Sequence, residues 1–314
     1  MITYFEQKPE ENTFTNILID LTHRCNMSCA NCYIPNRDIP DLDKNKLYKF
    51  LKKLPFRTYI RLIGAEPTLR DDLPEIISTV KKIGHRPSVT TNGVRMARLE
   101  YTQELKKAGL RLLLHSMNGA DDDNVYKIID NGKWATLKVR ALANIFKCRL
   151  PVNTGTIIAK GVNGHIIKRQ IEVFSKTAKN EGVNFDSTPP YSRITPVLRM
   201  KSVGLLGRHM GEDKCYSMFE LADLCEEQLG IKTDFILNQK VSAGVVKAGN
   251  YGDGLTSVMF PVHTDAGKIF VRLVDWSVND DGVVDHDNPF RGRLTQNWTV
   301  APFFEHVKKN EFGY

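Results

Sequence analysis

Three of the six cysteines in this 314-residue chain fall within eight residues, and their spacing suits metal chemistry. Cys25, Cys29 and Cys32 follow the pattern C-x3-C-x2-C, so their thiolates can converge on one inorganic centre. The common zinc patterns do not fit, because no second C-x2-C or H-x3-H pair stands at the usual distance. Three ligands are one fewer than a closed four-ligand site holds. The spacing therefore predicts a metal centre with one position open to a non-protein ligand.

The surrounding sequence must supply the elements that place these cysteines. Residues 16–22 form an apolar, strand-like run that ends just before Cys25. Five further strands are predicted, most of them followed by a helical pattern, at residues 58–63, 88–91, 110–116, 151–158 and 183–187. Parallel strands joined by helical crossovers form a barrel or a doubly wound sheet, and barrels carry their chemistry at the C-terminal strand ends. No G-x-G-x-x-G fingerprint of a dinucleotide fold occurs.

Glycine and polar residues stand at the ends of several predicted strands. Gly64 permits a close approach of the backbone to a ligand, and the Glu66 carboxylate offers acceptors for an ammonium group. Thr91 and Asn92 end the third predicted strand, and Ser116 ends the fourth. Gly64 and Glu66 therefore suit a ligand contact at the end of the second predicted strand.

Together these features resemble the radical S-adenosylmethionine (radical SAM) superfamily, whose signature is a C-x3-C-x2-C loop after the first barrel strand. The core is most similar to the molybdenum-cofactor-biosynthesis-like branch, through Asn153 on the fifth strand and the Gly-Val-Asn turn at residues 161–163. The resemblance implies an α/β fold, a partial six-stranded (β/α)6 TIM-type barrel, with a smaller α+β C-terminal extension. It also implies one [4Fe-4S] cluster on the three cysteines, whose open iron would chelate S-adenosylmethionine (SAM).

The same resemblance implies which residues contact SAM. They are expected at the strand ends, at Gly64, Ala65, Glu66, Thr91, Asn92, Ser116, Asn153 and Thr154. Residues 64–67 depart from the family's usual Gly-Gly-Glu-Pro at Ala65, a change that a negative φ would accommodate. Reductive cleavage of SAM would then give a 5′-deoxyadenosyl radical, which takes a hydrogen atom from the substrate.

We expect the chain to divide into three parts: a peripheral segment at 1–14, the radical SAM partial barrel at 15–190, and an extension at 191–314. The extension is expected to cap the barrel and to form the substrate region. Its predicted elements are a helix, a hairpin and a terminal helix, at 213–229, 255–274 and 302–309.

Four residues of the extension are candidates for chemistry. Trp276 offers an apolar wall, and Arg291 and Arg293 offer bidentate contacts to phosphate or carboxylate, so we expect them to close over the barrel mouth. Cys215 is a candidate hydrogen-atom donor to a substrate radical. Too few cysteines remain for an additional closed cluster.

The composition limits the partners. The net charge is +8, but the basic residues are spread over predicted helices and no aromatic-interleaved basic stripe occurs, so nucleic acid is not expected as a partner. No run of about 18 apolar residues predicts a membrane span. The N-terminal residues lack a secretion-signal pattern, which favours the cytoplasm, where reducing conditions suit thiolate ligands.

The sequence thus predicts a radical SAM enzyme that acts on a small or nucleotide-like, anionic substrate and receives electrons from a donor such as flavodoxin or ferredoxin. Whether it is an oxidoreductase, lyase, epimerase or mutase stays open. One alternative is a peptide-modifying radical SAM enzyme. The other, from a different class, is a non-catalytic iron–sulfur or zinc-binding sensor or scaffold on a barrel.

Overall fold

The computed structural model describes residues 6–32, 34, 36–204, 210–239, 257–275 and 291–302, and these form ten strands and eight α-helices. The strands are β1 (Asn16–Asp20), β2 (Tyr59–Ile63), β3 (Arg86–Thr91), β4 (Leu112–Ser116), β5 (Val152–Ile158), β6 (Val197–Ser202), β7 (Ser257–Thr264), β8 (Gly267–Val274), β9 (Arg291–Leu294) and β10 (Val300–Pro302). The helices are α1 (Lys44–Lys53), α2 (Leu73–Ile83), α3 (Leu99–Ala108), α4 (Asp123–Ile129), α5 (Ala135–Lys147), α6 (Ile166–Asn180), α7 (Met218–Leu229) and α8 (Thr233–Leu237).

All ten strands belong to one sheet, with the order β10-β9-β1-β2-β3-β4-β5-β6-β8-β7. Strands β1 to β6 lie side by side in chain order, and each is parallel to the next. Helices α1 to α6 fall in the connections between them. The predicted α/β fold with a six-stranded parallel core is confirmed.

An apolar layer between the strands and the helices holds this core together. Ile17 of β1, Ile60 of β2 and Val89 of β3 are fully buried in one cluster with Leu47 of α1 and Ile76 of α2. Burying such a side chain contributes about 1.5–3 kcal/mol. Because successive strand residues alternate between faces, the other face of each strand is left to line the interior of the curved sheet.

The helix ends follow their local sequence. The Asp43 side chain accepts hydrogen bonds from the backbone N–H groups of Asn45 and Lys46 and so caps the start of α1. Gly84 and Gly109 adopt the left-handed conformation that ends α2 and α3. These caps bring the chain back towards β3 and β4 within a few residues.

The sixth strand lies elsewhere than predicted. Residues 183–187 form no strand, with a turn at 185–187, and the strand that follows β5 in the sheet is β6 at Val197–Ser202. The apolar residues that suggested a strand pack elsewhere instead, since Phe185 stacks on Phe174 with ring centroids 5.5 Å apart. The prediction of a strand at 183–187 is therefore wrong, and the sixth strand falls in the segment assigned to the extension.

Strands from the C-terminal segment widen the sheet at both edges. β8 pairs parallel with β6 and forms an antiparallel hairpin with β7, as the hairpin prediction required. β9 pairs parallel with β1, and β10 is antiparallel to β9. The helix predicted at 213–229 is α7, whereas the terminal helix predicted at 302–309 lies outside the described residues. Across the described residues, every helix is too short or too polar to cross a membrane.

Candidate active site

A cavity of about 240 Å³ lies at the C-terminal ends of β2 to β6 and contains the cysteine loop in its wall. The side chains and backbone that line it come from the cysteine loop, the strand ends and the segment between β4 and α5. They include Cys25, Met27, Cys29, Asn31, Cys32, Arg37, Gly64, Ala65, Thr91, Asn92, Ser116, Asn118, Asp130, Lys138, Gly155, Ile157 and Lys201. This is the end of a parallel barrel where chemistry is expected.

Backbone hydrogen bonds tie the start of the cysteine loop to the segment after β2. The N–H of Ala65 donates to the carbonyl of Thr22 (2.8 Å), and the N–H of Glu66 donates to the carbonyl of Arg24 (2.9 Å). Further along the loop, the N–H of Ala30 donates to the carbonyl of Ile129 (2.8 Å). The loop is thus fixed on both sides of Cys25 and Cys29 by the polypeptide itself.

Gly64 makes this attachment possible because it has a φ of +138°, a conformation that side chains disfavour. A Cβ at this position would stand 2.3 Å from the carbonyl oxygen of Thr22, which is backbone and cannot move aside cheaply. Ala65, in contrast, has no positive φ, so its methyl group is tolerated as expected.

We expect Gly64→Ala to destabilise the protein by at least about 1–3 kcal/mol, the usual cost of a strained backbone conformation, and to lower the iron content after reconstitution. Thermal unfolding and iron analysis measure the two effects. Ala65→Gly is the matched control and should keep both near the wild-type values. Equal iron content in Gly64→Ala and Ala65→Gly would contradict the role given to Gly64.

Glu66 is completely buried and organises the strand ends instead of lining the cavity. Its carboxylate accepts hydrogen bonds from the Thr91 hydroxyl (2.7 Å), the Asn92 N–H (2.6 Å), and both the N–H and hydroxyl of Thr68 (3.0 and 2.5 Å). Burial raises the pKa of Glu66, and these four bonds oppose that shift. Its acceptors are therefore occupied by the protein itself.

Asn92 and Ser116 stand where the sequence predicted them. The Asn92 amide donates to Oδ1 of Asn26 (2.8 Å) and lies 4.0 Å from Sγ of Cys25, so it links β3 to the cysteine loop. Ser116 lines the cavity at the end of β4. Its neighbour His115 points to the outer face, is fully buried against α5, and has a pKa lowered to about 3 by burial, so it is a neutral packing residue.

The structure does not bring Asn153 and Thr154 to the cavity. Oδ1 of Asn153 accepts a hydrogen bond from the N–H of Val197 (2.9 Å), which joins β5 to the start of β6. Thr154 is in register with His115 and is buried on the outer face of the sheet. On β5 the lining residues are Gly155 and Ile157.

A buried ion pair that no sequence motif indicated forms another part of the wall. Nζ of Lys138 lies 3.5 Å from Oδ2 of Asp130 and donates to the carbonyl of Ser116 (2.8 Å), and both charged side chains are 1% exposed. The Asn118 amide donates to Oδ1 of Asp130 (2.8 Å). On α5, Lys138 stands on the buried face between Ala135 and Leu142, so a lysine at an apolar helical position was the signal that could have indicated it.

The three cysteines fit a multi-atom cluster better than a single ion. Within the described part of the chain, no three His, Cys, Asp or Glu side chains are gathered closely enough for one metal ion. Cys25, Cys29 and Cys32 are free thiols around one shared cavity, which leaves room for a larger group between them. Burial raises the pKa of Cys25 and of Cys29, and nearby Asp130 adds to the shift at Cys29. A metal centre would supply the positive charge that holds these thiols as thiolates.

The interior of the sheet below the cavity is lined by cations. Residues in register on neighbouring strands face the same side. Arg199 is in register with Gly155, and Lys201 with Ile157, which both line the cavity. The same register places further cations on this interior face, namely Arg61 of β2, Arg272 of β8, and Arg291 and Arg293 of β9.

The pKa of Arg199 and the pKa of Lys201 are both lowered by burial and by other cations of this interior face. Burial lowers the pKa of Arg199 well below its usual range, and the guanidinium groups of Arg61, Arg272 and Arg291 lower it further. Burial and the same neighbours, with Arg199 the strongest, lower the pKa of Lys201 to about 7. Arginine keeps its proton at any ordinary pH, so the shift at Arg199 reflects the cost of burying its charge first and repulsion by neighbouring cations second.

Arg291 and Arg293 lie inside the barrel wall and not over its mouth, which corrects the expectation of a cap. β9 pairs with β1, and the buried Arg293 donates through Nε to Oδ2 of Asp20 (2.7 Å). The third residue of the expected cap, Trp276, lies outside the described residues.

A family model described as the radical SAM superfamily matches residues 19–172. The chain belongs to the radical SAM superfamily. The match contains the cysteine loop and the strand ends that surround the cavity, and it makes the protein an enzyme of the radical SAM class. The alternative of a non-catalytic sensor or scaffold is therefore not retained.

Curated relatives place the core near one branch of the superfamily. It is 30% identical over 172 residues to a probable GTP 3′,8-cyclase of Thermococcus kodakarensis, covering 52% of this chain and 54% of the relative. A probable GTP 3′,8-cyclase of Sulfolobus acidocaldarius is 30% identical over 220 residues, covering 67% and 62%. A 7,8-dihydro-6-hydroxymethylpterin dimethyltransferase of Methanocaldococcus jannaschii is 30% identical over 190 residues, covering 56% and 37%. The matches span about one third to two thirds of these relatives.

Solved radical SAM structures share the fold. Streptococcus suis SuiB bound to the precursor peptide SuiA aligns over 71% of this chain and 46% of that chain, with a TM-score of 0.53 and 13% identity. SuiB bound to S-adenosylmethionine aligns over 73% and 49%, with a TM-score of 0.52 and 13% identity. Enzymes of the radical SAM class use a [4Fe-4S] cluster and SAM, and they need a reductant.

Cys215 lies beside this radical SAM cavity without lining it. Its half-buried thiol donates to the carbonyl of Val203 (3.3 Å), directly after β6, and the next residue, Gly204, is part of the cavity wall. The structure thus places the candidate hydrogen-atom donor one layer behind the wall.

Proposed function

We propose that this radical SAM enzyme acts on a small or nucleotide-like anionic substrate, which the cations of the barrel interior hold below the SAM cavity. The observation that carries the proposal is the set of cations on one interior face, in register with residues that line the cavity. Guanidinium groups bind phosphate and carboxylate in a bidentate manner. Several cations on one buried face also create a positive potential that attracts an anionic ligand.

Different residues of the chain would bind the cofactors and the substrate. Cys25, Cys29 and Cys32 would hold the [4Fe-4S] cluster. The predicted SAM contacts that line the cavity are Gly64, Ala65, Thr91, Asn92 and Ser116. When bound, the cluster and SAM would supply the chemistry of hydrogen-atom abstraction from the substrate. Glu66 would position the strand ends through its four hydrogen bonds, and Arg199 and Lys201 would orient the anion towards the cavity.

The names of the curated relatives supply the first substrates to test. GTP and 7,8-dihydro-6-hydroxymethylpterin both carry fused nitrogen heterocycles, and GTP carries the negative charge that the interior cations suit. The peptide-modifying alternative gains little from the peptide-bound SuiB structure, because its similarity to this chain concerns the fold alone. We place the reaction in the cytoplasm, with flavodoxin or ferredoxin as the electron donor.

The experiment is an anaerobic assay of the reconstituted enzyme with SAM and dithionite. We expect about four irons per chain, slow 5′-deoxyadenosine formation with SAM alone, and faster formation when GTP or another anionic nucleotide is added. Zinc in place of iron, or no reductive cleavage of SAM under any condition, would contradict the proposed function. Stimulation by neutral substrates or peptides, with none by anions, would contradict the substrate class.

Lys201 should make the binding of anions depend on pH. Its pKa is lowered to about 7, so the ammonium is charged below that pH and neutral above it, while the arginines stay charged. We expect sulfate, which stays doubly charged throughout, to raise the melting temperature of the wild-type protein more at pH 6 than at pH 8.5. In Lys201→Met the effect of sulfate should be the same at both pH values. Equal pH dependence in the two proteins would show that Lys201 does not bind the anion.

A further inference from the structure

Arg37 is a cation of the cavity wall that none of the sequence motifs includes. It stands in the loop after the third cysteine, and the turn that carries it is fixed at its start. Nδ1 of His23 and the carbonyl of Asn36 are 3.1 Å apart, and the N–H of Asp38 donates to Oδ1 of Asn36 (2.9 Å). The Arg37 side chain is half-buried and reaches into the cavity beside the cysteines.

The guanidinium of Arg37 contacts one of the proposed cluster ligands directly. One terminal nitrogen donates to Sγ of Cys32 (3.2 Å), and the other donates to the carbonyl of His23 (3.2 Å). This two-point attachment directs the planar group at the sulfur atom, in the fixed fork geometry that arginine provides.

The charge of Arg37 is not shared with an acid among the described residues, since none of the ion pairs there includes it. The other cations near the cysteine loop are different. Arg24 lies 2.6 Å from Asp41, and Lys138 lies 3.5 Å from Asp130. Arg37 is therefore the cation of this loop whose positive charge acts on a cysteine sulfur without a carboxylate beside it.

We propose that Arg37 is a positioning residue that sets the reduction potential of the cluster through its bond to Cys32. The inference rests on the proposed assignment of the cluster to the three cysteines. Hydrogen bonds to the ligand sulfurs and nearby charge are main determinants of the potential of an iron–sulfur cluster. A fixed positive charge at the sulfur stabilises the reduced cluster, which carries one more negative charge, and thereby raises the midpoint potential. The reductant that donates this electron is an external low-potential donor, such as dithionite in vitro.

The test compares Arg37→Lys, Arg37→Gln and Arg37→Leu by anaerobic potentiometric titration of the reduced-cluster EPR signal, together with iron analysis. We expect Arg37→Leu to have the most negative midpoint potential, Arg37→Gln to be intermediate because it keeps a donor without the charge, and Arg37→Lys to lie nearest the wild type. Arg24→Gln is the matched control, because it removes a guanidinium from the same loop that is already paired with Asp41. It should titrate like the wild type.

The possible outcomes separate this inference from the proposed function. A wild-type protein that takes up no iron would overturn the proposed function itself. A wild-type midpoint potential in Arg37→Leu, with normal iron content, would overturn only the role of Arg37. So would the loss of iron from all three Arg37 variants while Arg24→Gln keeps it, since Arg37 would then serve assembly and not the potential.

Discussion

Cys29→Ser is expected to lose the ability to cleave SAM, by more than about 100-fold, because losing even an outer contact of a metal site costs about 10–100-fold and Cys29 would be a direct ligand. A serine hydroxyl is a far weaker ligand for iron than a thiolate. The protein should nevertheless fold. The loop is fixed by backbone bonds such as Ala30 N–H to the Ile129 carbonyl, and these do not involve the thiol. Iron content after reconstitution and the rate of 5′-deoxyadenosine formation measure the effect.

Cys148→Ser is the control for this prediction. Cys148 is a free, half-buried thiol at the end of α5, and it is not among the residues that line the cavity. Its replacement should leave iron content and SAM cleavage unchanged. If Cys29→Ser kept both properties, or if Cys148→Ser lost them equally, the assignment of the cluster to the N-terminal loop would have to be abandoned.

The parts of the fold that the sequence predicted share one physical basis. Each of the strands β1 to β5 has one face packed against helices and the other face towards the barrel interior. In the sequence they therefore stand out as apolar runs followed by helical periodicity. Residues at their C-terminal ends must meet at one edge of a parallel sheet. The amino-acid pattern alone therefore predicts that the cysteine loop, Gly64, Asn92 and Ser116 lie close together. All of them line the cavity.

The sequence did not predict β6, because the face of this strand that points into the barrel is charged. Leu198 and Met200 are fully buried on the outer face, while Arg199 and Lys201 alternate with them on the inner face. An alternation of apolar and basic residues is typical of a strand at a solvent surface, so the sequence gives no sign that this strand belongs to the barrel. Only the register with β5 shows that these cations point into the barrel.

The other differences between the predicted and the observed site arise from contacts between residues that are far apart in the sequence. Arg293 binds Asp20 across 273 positions, and nothing local indicates that β9 pairs with β1. The Asp130–Lys138 pair is similar, since burial of both charges depends on how α4 and α5 pack against β4. Glu66 was predicted to contact SAM, and only the structure shows that its oxygens accept hydrogen bonds from neighbouring N–H and hydroxyl groups.

Arg199→Met is expected to weaken the binding of anions by about 10–100-fold, since a hydrogen bond to a charged group contributes about 1.5–3 kcal/mol and 1.4 kcal/mol corresponds to a tenfold change. The same substitution should raise the melting temperature of the ligand-free protein. It removes one of several buried like charges, since burial first and neighbouring cations second lower the pKa of both Arg199 and Lys201. Titration calorimetry with GTP and with tripolyphosphate, which carries no base, measures the first effect, and thermal unfolding measures the second.

A gain in stability together with a loss of anion binding separates a binding site from an ordinary structural cation, whose removal would lower both. Arg193→Met is the matched control, because Arg193 is an exposed arginine just before β6 and should leave affinity and melting temperature unchanged. Slow SAM cleavage without substrate should also stay at the wild-type rate in Arg199→Met, since Arg199 is not among the residues that line the cavity. If GTP and tripolyphosphate bound Arg199→Met and Arg193→Met equally tightly, the interior cations would not be the substrate site.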